Sequence, residues 1–177
     1  VAPLAALATV TGHVEAGTGG LVVVGRGPNG QGAADMGLLP DWLPGYRAVG
    51  KPEDEAELAV FWPAAPPTSV GLPAARMVTG GVRGLLTMGA DPAGDEPDSV
   101  ASLSEMDFLV VQDMFLTATA RLADVVLPSQ SAPERDGTMT SMTRRVQRFH
   151  RAGRPVGAAR ADWRIVRDLG ALFGIPE

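Results

Sequence analysis

The 177-residue sequence contains no cysteine. That absence excludes disulfide bonds, thiolate-bound zinc and cysteine-ligated iron–sulfur clusters within this stretch of chain. Histidine is nearly as scarce, since the sequence has His13 and His150 and no others. We interpret both as surface histidines, because neither lies in a pattern that identifies a metal site or a catalytic partner.

Long hydrophobic runs and an excess of positive charge are also missing. No apolar run approaches the roughly 18 residues that a membrane-spanning helix needs, so we predict no direct membrane insertion. The formal net charge of −5 argues against nucleic acid as a partner. The opening VAPLAALATV lacks the basic n-region of a signal peptide. We therefore interpret it as an internal piece of a larger protein and predict a cytoplasmic location.

Three short apolar runs organise the second half of the chain: Leu85–Met88, Phe108–Gln112 and Val125–Leu127. Leucine-rich and β-branched runs of this length, separated by helix-compatible segments, are typical of buried parallel strands. The last segment, ADWRIVRDLGALFGIP, has the spacing of an amphipathic helix that begins at Asp162. The sequence therefore predicts an α/β fold, with a parallel Rossmann-like sheet and flanking helices over residues 80–130 and the last helix.

Further elements are predicted around this sheet. Apolar spacing, glycine stops and acidic first turns predict helices at Ala2–Thr11, Glu53–Trp62, Leu72–Thr79, Ser99–Glu105 and Thr117–Leu122. Alternation over Val146–His150, after the turn signal Asp136-Gly137, favours an extended segment or a hairpin with a basic face. The last helix is expected to present one apolar face formed by Trp163, Val166, Leu169 and Leu172.

The first part of the chain is rich in glycine and proline. It also carries Trp42 and Tyr46, which do not suit a flexible linker. We predict that residues 1–70 are an irregular but ordered arm, with a short strand at Leu21–Val24, laid over a larger protein surface. The proline-rich connector PAAPPTSVGLP is the best boundary candidate. Residues 71–177 are then the α/β domain.

One glycine pattern in the arm matches a nucleotide-binding fingerprint as a string. Gly25-x-Gly27-x-x-Gly30 follows an apolar run, as a Rossmann loop does. However, Pro28 lies inside the pattern, and no convincing helix is predicted to begin at Gly30. We therefore interpret this segment as a tight irregular loop.

Polar residues follow the first two predicted strands. Gly89-Ala90-Asp91-Pro92 comes after the first strand and Gln112-Asp113 ends the second. In a parallel sheet, ligands bind where the carboxyl ends of the strands open out. A carboxylate there can accept hydrogen bonds from a guanine edge or from ribose hydroxyls. The alternative is that Asp91 and Asp113 cap turns or helix starts, and the pattern alone favours neither interpretation.

Four arginines form a local basic cluster in an otherwise acidic protein. They are Arg135, Arg144, Arg145 and Arg148. Such a cluster can bind a phosphate or a pyrophosphate. The alternative interpretation is a solvated basic face, or one that pairs with the acidic run Asp95-Glu96-x-Asp98.

Taken together, the motifs resemble the large subunit of the molybdopterin oxidoreductase family, and within it the formate dehydrogenase alpha subunits. The resemblance covers most of the chain in the family's order. It rests on LATVTGHVEAGTGG (Leu7–Gly20), RGPNGQGAADMGLLPDWLPGY (Arg26–Tyr46), LLTMGADP (Leu85–Pro92), FLVVQDMFLTATARLADVVLP (Phe108–Pro128), GTMTSMTRRVQ (Gly137–Gln147) and ADWRIV (Ala161–Val166).

The resemblance implies an enzyme that holds molybdenum or tungsten between two molybdopterin guanine dinucleotides, the bis-molybdopterin guanine dinucleotide cofactor. This region would grip the guanosine end of one dinucleotide, with Gln31 and Gly32 nearer the pterin. Iron–sulfur clusters, the metal-ligating cysteine or selenocysteine and the catalytic residues would lie elsewhere in the large subunit. The partners implied are the rest of that subunit and other redox subunits. The implied cofactor-binding residues are Gly89, Asp91, Gln112, Asp113, Arg135 and Asp162.

Two functions within this resemblance stay open. The first is a formate dehydrogenase catalytic subunit, in which formate is oxidised to carbon dioxide and two electrons leave through iron–sulfur clusters. The second is the related G subunit of NADH–quinone oxidoreductase, whose corresponding domain is often a cofactor-free scaffold. The sequence has Asp91, Ser141 and Thr143 where the family usually has Asn, Asn and Glu, and these exchanges favour the scaffold. Retention of Gln112-Asp113, Arg135 and Asp162 favours the enzyme.

Overall fold

The computed structural model describes residues 2–14, 20–21, 27–62 and 64–175. Its α-helices are α1 (Ala2–Val10), α2 (Gly30–Asp35), α3 (Pro52–Ala59), α4 (Ala74–Arg76), α5 (Pro92–Asp95), α6 (Ser99–Ser104), α7 (Ala118–Leu122) and α8 (Asp162–Leu172). Its strands are β1 (Trp42–Leu43), β2 (Arg47–Ala48), β3 (Gly84–Met88), β4 (Phe108–Asp113), β5 (Val125–Pro128), β6 (Gly137–Thr140) and β7 (Val146–Phe149). A π-helical turn (Met77–Gly81) and a 3₁₀ turn (Ala132–Glu134) complete the described elements.

The three predicted apolar runs form one parallel sheet with the strand order β3-β4-β5. Leu86 lies beside Val110, which lies beside Val125, so these three side chains share one face. Helices α5 and α6 connect β3 to β4, and α7 connects β4 to β5. The prediction of an α/β fold with a Rossmann-like parallel sheet and flanking helices is confirmed.

The core lies on one face of this sheet. Leu109 and Val111 of β4 are 1% and 0% exposed, and they pack with Leu103 of α6 and Ala120 of α7. Burying a leucine or valine side chain this completely contributes about 1.5–3 kcal/mol. The continuous apolar run in β4 is therefore explained by its central position between two strands.

The opposite face of the sheet is much barer. Leu86, Met88 and Phe108 point to that side, and they are 41%, 46% and 51% exposed. Val125 of β5 belongs to the same face and is 38% exposed. Parallel sheets in proteins are normally covered on both faces, so an exposed apolar surface of this kind is unusual for a parallel sheet.

Strands β6 and β7 form an antiparallel hairpin, as the alternating pattern and the Asp136-Gly137 turn signal indicated. Gly137 pairs with Phe149 across the hairpin. A Cβ atom at Gly137 would lie 2.5 Å from the Phe149 ring, so a side chain at this position would force the ring to move. Arg144, in the connecting turn, has a left-handed backbone with φ of +61°.

Helix α8 begins at Asp162, as predicted, and two members of its predicted apolar face, Leu169 and Leu172, line a cleft beside β5. The buried residue of this helix is Ile165, at 5% exposure, which the prediction did not include. The other two members of the predicted face, Trp163 and Val166, are 55% and 45% exposed. Helix α8 is oriented so that Ile165 and Leu169 border a cleft beside β5, and this turns Trp163 and Val166 outward.

The arm contains more helix than its glycine content indicated. Helix α1 agrees with prediction, and Gly12 follows it with a left-handed φ of +70°. A second helix, α2, begins at Gly30, so the expectation that no helix starts there was wrong. The reason is tertiary, because the side chain of Asn29 accepts a hydrogen bond from the Thr140 backbone at 2.8 Å. This contact anchors the start of α2 against β6.

Two predictions in the arm fall wholly or partly outside the described residues. The short strand at Leu21–Val24 involves residues 22–24, which are not described. The fingerprint glycine Gly25 also lies there, although Gly27 and Gly30 are described. Among the described residues, no helix is long and apolar enough to cross a membrane.

Candidate functional site

The carboxyl end of β4 places Gln112 at the centre of a polar cluster. Its side chain is completely buried, and its Nε2 donates to Asp162 Oδ1 at 2.9 Å. The two residues are 50 positions apart in the chain. The start of α8 is therefore tied to the end of the central strand by one buried amide.

Arg135 joins the same cluster from a different element. Its guanidinium forms an ion pair with Asp162 Oδ2. The preceding 3₁₀ turn is held by a capping box, in which Ser131 and Glu134 bond each other's backbones, and Arg135 follows it directly. Of the predicted site residues, the structure thus joins Gln112, Arg135 and Asp162 in one chain of contacts.

This chain of contacts leaves one polar atom without a partner. The Oε1 atom of Gln112 is buried and has no hydrogen-bond donor among the described residues. An unsatisfied buried polar group costs about 1–3 kcal/mol, so structures retain few of them. The Gln112 amide is therefore hydrogen-bonded to Asp162 through Nε2, whereas its Oε1 has no partner among the described residues.

A cleft of about 240 Å³ opens beside Arg135 and Asp162. The side chains of the two residues are 28% and 32% exposed, so they are partly open to solvent. The lining mixes charge, amide and aromatic groups, and its other members are Asn29, Asp136, Gly137, Thr138, Met139, Phe149 and Trp163. Such a lining suits a polar ligand that carries both a ring and an ionic group.

Asp113 lies next to Gln112 at the end of β4. Its Oδ1 accepts from the Phe115 backbone at 2.9 Å, which closes a turn after the strand. Its carbonyl accepts from Ser129 at 3.0 Å and so extends the pairing with β5. The structure thus supports the turn-capping interpretation of Asp113, and its cofactor contact stays a prediction.

Gly89 and Asp91 end the neighbouring strand β3. Gly89 has a left-handed φ of +60°, and its N–H donates to the Gln112 carbonyl at 2.9 Å. Asp91 Oδ1 accepts from the backbone and the hydroxyl of Thr119 at 2.8 and 2.7 Å. It also caps α5 through Gly94. The Asp91 carboxylate therefore bonds the first turns of two helices, and its contact with a cofactor stays a prediction.

These contacts set the charge state of Asp91. Desolvation alone would raise the pKa of its carboxyl, but hydrogen bonds from Thr119 and Gly94 lower it below its ordinary value of 3.8. Thr119 is completely buried, and its hydroxyl also accepts from the Ala93 backbone at 3.0 Å. Sequence reasoning missed Thr119, because a threonine in a helical segment carries no sign of such a distant partner.

The four arginines do not act as one patch. Arg135 pairs with Asp162, whereas Arg144 lies over the Tyr46 ring, with its guanidinium carbon 5.5 Å from the centroid. Arg145 and Arg148 are exposed. In the part of the chain that the structure describes, no ion pair joins this cluster to the acidic run at 95–98. Among the described residues, the structure therefore gives no pairing of these arginines with the acidic run.

Tyr46 belongs to a second polar cluster that the sequence did not reveal. Its hydroxyl accepts from Gln31 Nε2 at 2.7 Å, and the same nitrogen donates to Asp35 at 2.7 Å. Hydrogen bonds from Gln31 and Tyr46 lower the pKa of Asp35, and the charge of Arg144 adds to this. The sequence signal that could have indicated this cluster is the pair Gly45-Tyr46, which marks a turn. In the structure, Tyr46 has a left-handed φ of +60°.

The two histidines are exposed, in agreement with their interpretation, and His150 contacts Asp136 at the border of the cleft. His13 Nδ1 is 2.9 Å from the Thr11 hydroxyl, and His150 Nδ1 is 3.2 Å from Asp136. These are short-range or surface contacts.

Comparison with known proteins identifies the family. The model of the family described as "Molybdopterin oxidoreductase" matches residues 1–172. The alpha subunit of F420-dependent formate dehydrogenase 1 from Methanococcus maripaludis is 40% identical over 97% of this chain and 26% of that protein. Formate dehydrogenase H from Escherichia coli is 35% identical over 99% of this chain and 26% of that protein. Acetylene hydratase from Pelobacter acetylenicus, a solved structure, gives a TM-score of 0.48 at 24% identity, covering 56% of this chain and 15% of that one.

The chain belongs to the molybdopterin oxidoreductase family. Membership implies a molybdopterin cofactor, and the curated relatives named above are formate dehydrogenases. The chain spans 26% of the length of these relatives. The resemblance inferred from its motifs is confirmed.

Proposed function

We propose that this chain is part of the catalytic large subunit of a formate dehydrogenase, and that it holds the guanosine end of a molybdopterin guanine dinucleotide. One observation carries the site. Arg135 and Asp162 form an ion pair at the carboxyl edge of the parallel sheet, beside a cleft. Gln112, at the end of β4, fixes Asp162 by a hydrogen bond. Ligands of doubly wound folds bind at this edge.

The donor set fits a guanosine phosphate. A carboxylate such as that of Asp162 can accept hydrogen bonds from the N–H groups of a guanine edge or from the O–H groups of a ribose, and Arg135 supplies charge for a phosphate. Because Gln112 is completely buried, it acts by positioning Asp162. Gly89, Asp91 and Asp113 are proposed to shape the adjoining turns.

The remainder of the proposal concerns the whole protein. A bis-molybdopterin guanine dinucleotide with molybdenum or tungsten would supply the two-electron oxidation of formate to carbon dioxide. Iron–sulfur clusters elsewhere in the subunit, and other redox subunits, would take the electrons. The division into an arm (1–70) and an α/β domain (71–177), and the cytoplasmic location, belong to this proposal.

The test is the cofactor content of the purified full-length subunit carrying Asp162→Ala. The substitution leaves Arg135 and the Gln112 amide without their shared partner. We expect at least a tenfold loss of bound metal and pterin. The matched control is Asp168→Ala on the same helix, whose carboxylate pairs with Arg160 and Arg167. Equal cofactor content in both variants would remove Asp162 from the site.

The same measurement separates the enzyme from the cofactor-free scaffold. Ser141 and Thr143, two positions that favour the scaffold, hydrogen-bond each other at 2.8 Å in the hairpin turn. A wild-type subunit that carries neither molybdenum, tungsten nor pterin would reject the enzyme and leave the scaffold.

A further inference from the structure

One residue of the arm (1–70) lines the cleft beside Arg135 and Asp162. That residue is Asn29, whereas every other lining residue belongs to the segment 135–163. Asn29 is half-buried and immediately precedes α2. The arm and the α/β domain therefore contribute side chains to the same cleft.

The side-chain amide of Asn29 has a defined orientation. The Thr140 backbone N–H donates to its Oδ1 atom at 2.8 Å. Because an N–H donor requires the oxygen of the amide, the nitrogen, Nδ2, points away from Thr140. Nδ2 carries two N–H donors, and the structure gives it no acceptor among the described residues. Asn29 thus retains hydrogen-bond donors that its contact with the hairpin does not use.

Close packing against Gly32 also holds this amide in place. Gly32 is buried, and a Cβ atom there would lie 2.3 Å from Asn29 Oδ1 and 3.1 Å from Nδ2. A side chain at position 32 would therefore displace the amide from Thr140. A donor that is held in place before its ligand arrives loses little conformational freedom on binding. The packing at Gly32 thus pre-organises the Asn29 amide.

The cleft combines the Asn29 donors with the donors of a cation. The ion pair of Arg135 with Asp162 uses the Nη1 atom of the guanidinium, which carries five N–H donors in all. Both Arg135 and Asn29 line the cleft. An amide and a guanidinium that offer donors to one cleft suit an anion with several acceptor oxygens, and a phosphate is such an anion.

We propose that Asn29 is a further binding residue of this cleft, and that its Nδ2 donates to an oxygen of the same phosphate that Arg135 binds. The inference rests on the proposed function, because it takes a guanosine phosphate as the ligand. Asn29 then has two roles, since Oδ1 anchors the arm to the hairpin and Nδ2 binds the ligand. The site accordingly needs the arm as well as the α/β domain.

The test is Asn29→Asp in the full-length subunit, because aspartate keeps an acceptor for Thr140 and replaces the N–H donors with an anionic oxygen. The first measurement is the GMP that acid hydrolysis releases from a bound guanine dinucleotide. We expect it to fall roughly 10- to 100-fold, since a hydrogen bond to a charged phosphate is lost and repulsion is added.

The second measurement is hydrogen exchange at the Thr140 amide, which reports the hairpin contact alone. In Asn29→Asp its protection should stay within about threefold of the wild type. Wild-type GMP content in this variant would overturn the proposal. A loss of GMP that comes with a loss of Thr140 protection would assign Asn29 to the hairpin contact and overturn it as well.

Two control variants separate the donor from other effects. Tyr46→Leu removes another contact between the arm and the hairpin, the Arg144 guanidinium over the Tyr46 ring. Gln147→Glu makes the same amide-to-carboxylate exchange at an exposed position of β7. We expect both controls to keep their GMP. A loss in either control equal to that in Asn29→Asp would contradict the proposal.

The outcomes distinguish this inference from the proposed function on which it rests. Asp162→Ala, measured in the same GMP assay, reports on the proposed site itself. Loss of GMP from Asp162→Ala, together with wild-type GMP in Asn29→Asp, would reject the role of Asn29 alone. Wild-type GMP in both variants, or a wild-type subunit that releases no GMP, would reject the proposed function as well.

Discussion

Two neighbouring strands of this protein end in carboxylate clusters that look alike in sequence and differ in structure. At the end of β3, Asp91 accepts hydrogen bonds at Oδ1 from Thr119 and Gly94, which lie at the starts of two nearby helices. At the end of β4, Gln112 reaches Asp162, 50 residues away, and Asp162 meets Arg135 beside a cleft. The described contacts of Asp91 all stay within the fold, whereas the second cluster contains the buried Gln112 Oε1, which has no partner among the described residues.

We propose that this difference separates a helix-capping carboxylate, Asp91, from a ligand-binding one, Asp162. The described contacts of Asp91 cap the starts of two short helices. The Arg135–Asp162 ion pair is partly exposed beside a cleft, so a ligand can reach it there. The exchange of the family's Asn for Asp at position 91 therefore falls on a helix-capping residue. Either residue carries a side-chain oxygen that can accept the hydrogen bond from Thr119.

The largest expected effect breaks the β4 cluster from within. Gln112→Glu places a second carboxylate, completely buried, against Asp162. An uncompensated buried charge costs about 3–5 kcal/mol, which corresponds to roughly 100- to 4,000-fold faster amide exchange in β4. The measurement is hydrogen exchange of Val111 in the full-length subunit. Gln112→Met, of similar volume and uncharged, is the control, and equal exchange in the two variants would show that the cluster tolerates charge.

A smaller effect is expected at the β3 cluster. Asp91→Ala removes the acceptor for Thr119 and the cap of α5. Loss of a helix cap costs about 0.5–2 kcal/mol, so the Thr119 amide should exchange roughly 2–30-fold faster. If Asp91 acts only as a helix cap, bound metal and pterin should stay at the wild-type level, in contrast to Asp162→Ala. A comparable loss of cofactor from both variants would erase the distinction between the two strand ends.

The smallest expected effect is the pH dependence that the Asp91 carboxyl gives to local stability around Thr119. Because its pKa in the folded protein lies below the ordinary 3.8, the carboxylate contributes stability that is fully present above that pH. This contribution is lost as the pH falls through the folded value. Protection of the Thr119 amide, corrected for intrinsic exchange, should therefore decline below pH 3.8 in the wild type. Asp91→Asn cannot titrate, so a parallel decline in that variant would assign the effect to another group.

Much of the fold was readable from local patterns. The runs Leu85–Met88 and Phe108–Gln112 became β3 and β4 within two residues of their predicted ends, because a buried parallel strand requires a continuous apolar run. The hairpin was readable from its alternation and its Asp136-Gly137 turn signal. These signals depend on neighbours in the sequence, and so a sequence can carry them.

The errors share a different origin. The start of α2 at Gly30 depends on Asn29 binding the backbone of Thr140, 111 residues away. The inner face of α8 depends on how the helix packs against β5, which selects Ile165 over Trp163. The partner of Asp91 is Thr119, on a helix that follows another strand. Each contact joins residues whose separation leaves no mark on the local pattern.

The sequence by itself determined the parallel strands, the positions of polar residues at their ends and the family, because periodicity and motifs are local properties of the chain. The tertiary structure alone decided which of those polar residues meet. It placed Gln112, Arg135 and Asp162 in one cluster and bound Asp91 into the helix starts. Hydrogen bonds act over about 3 Å in space, whatever the distance along the chain, and so the fold selects which of these polar residues form a cluster.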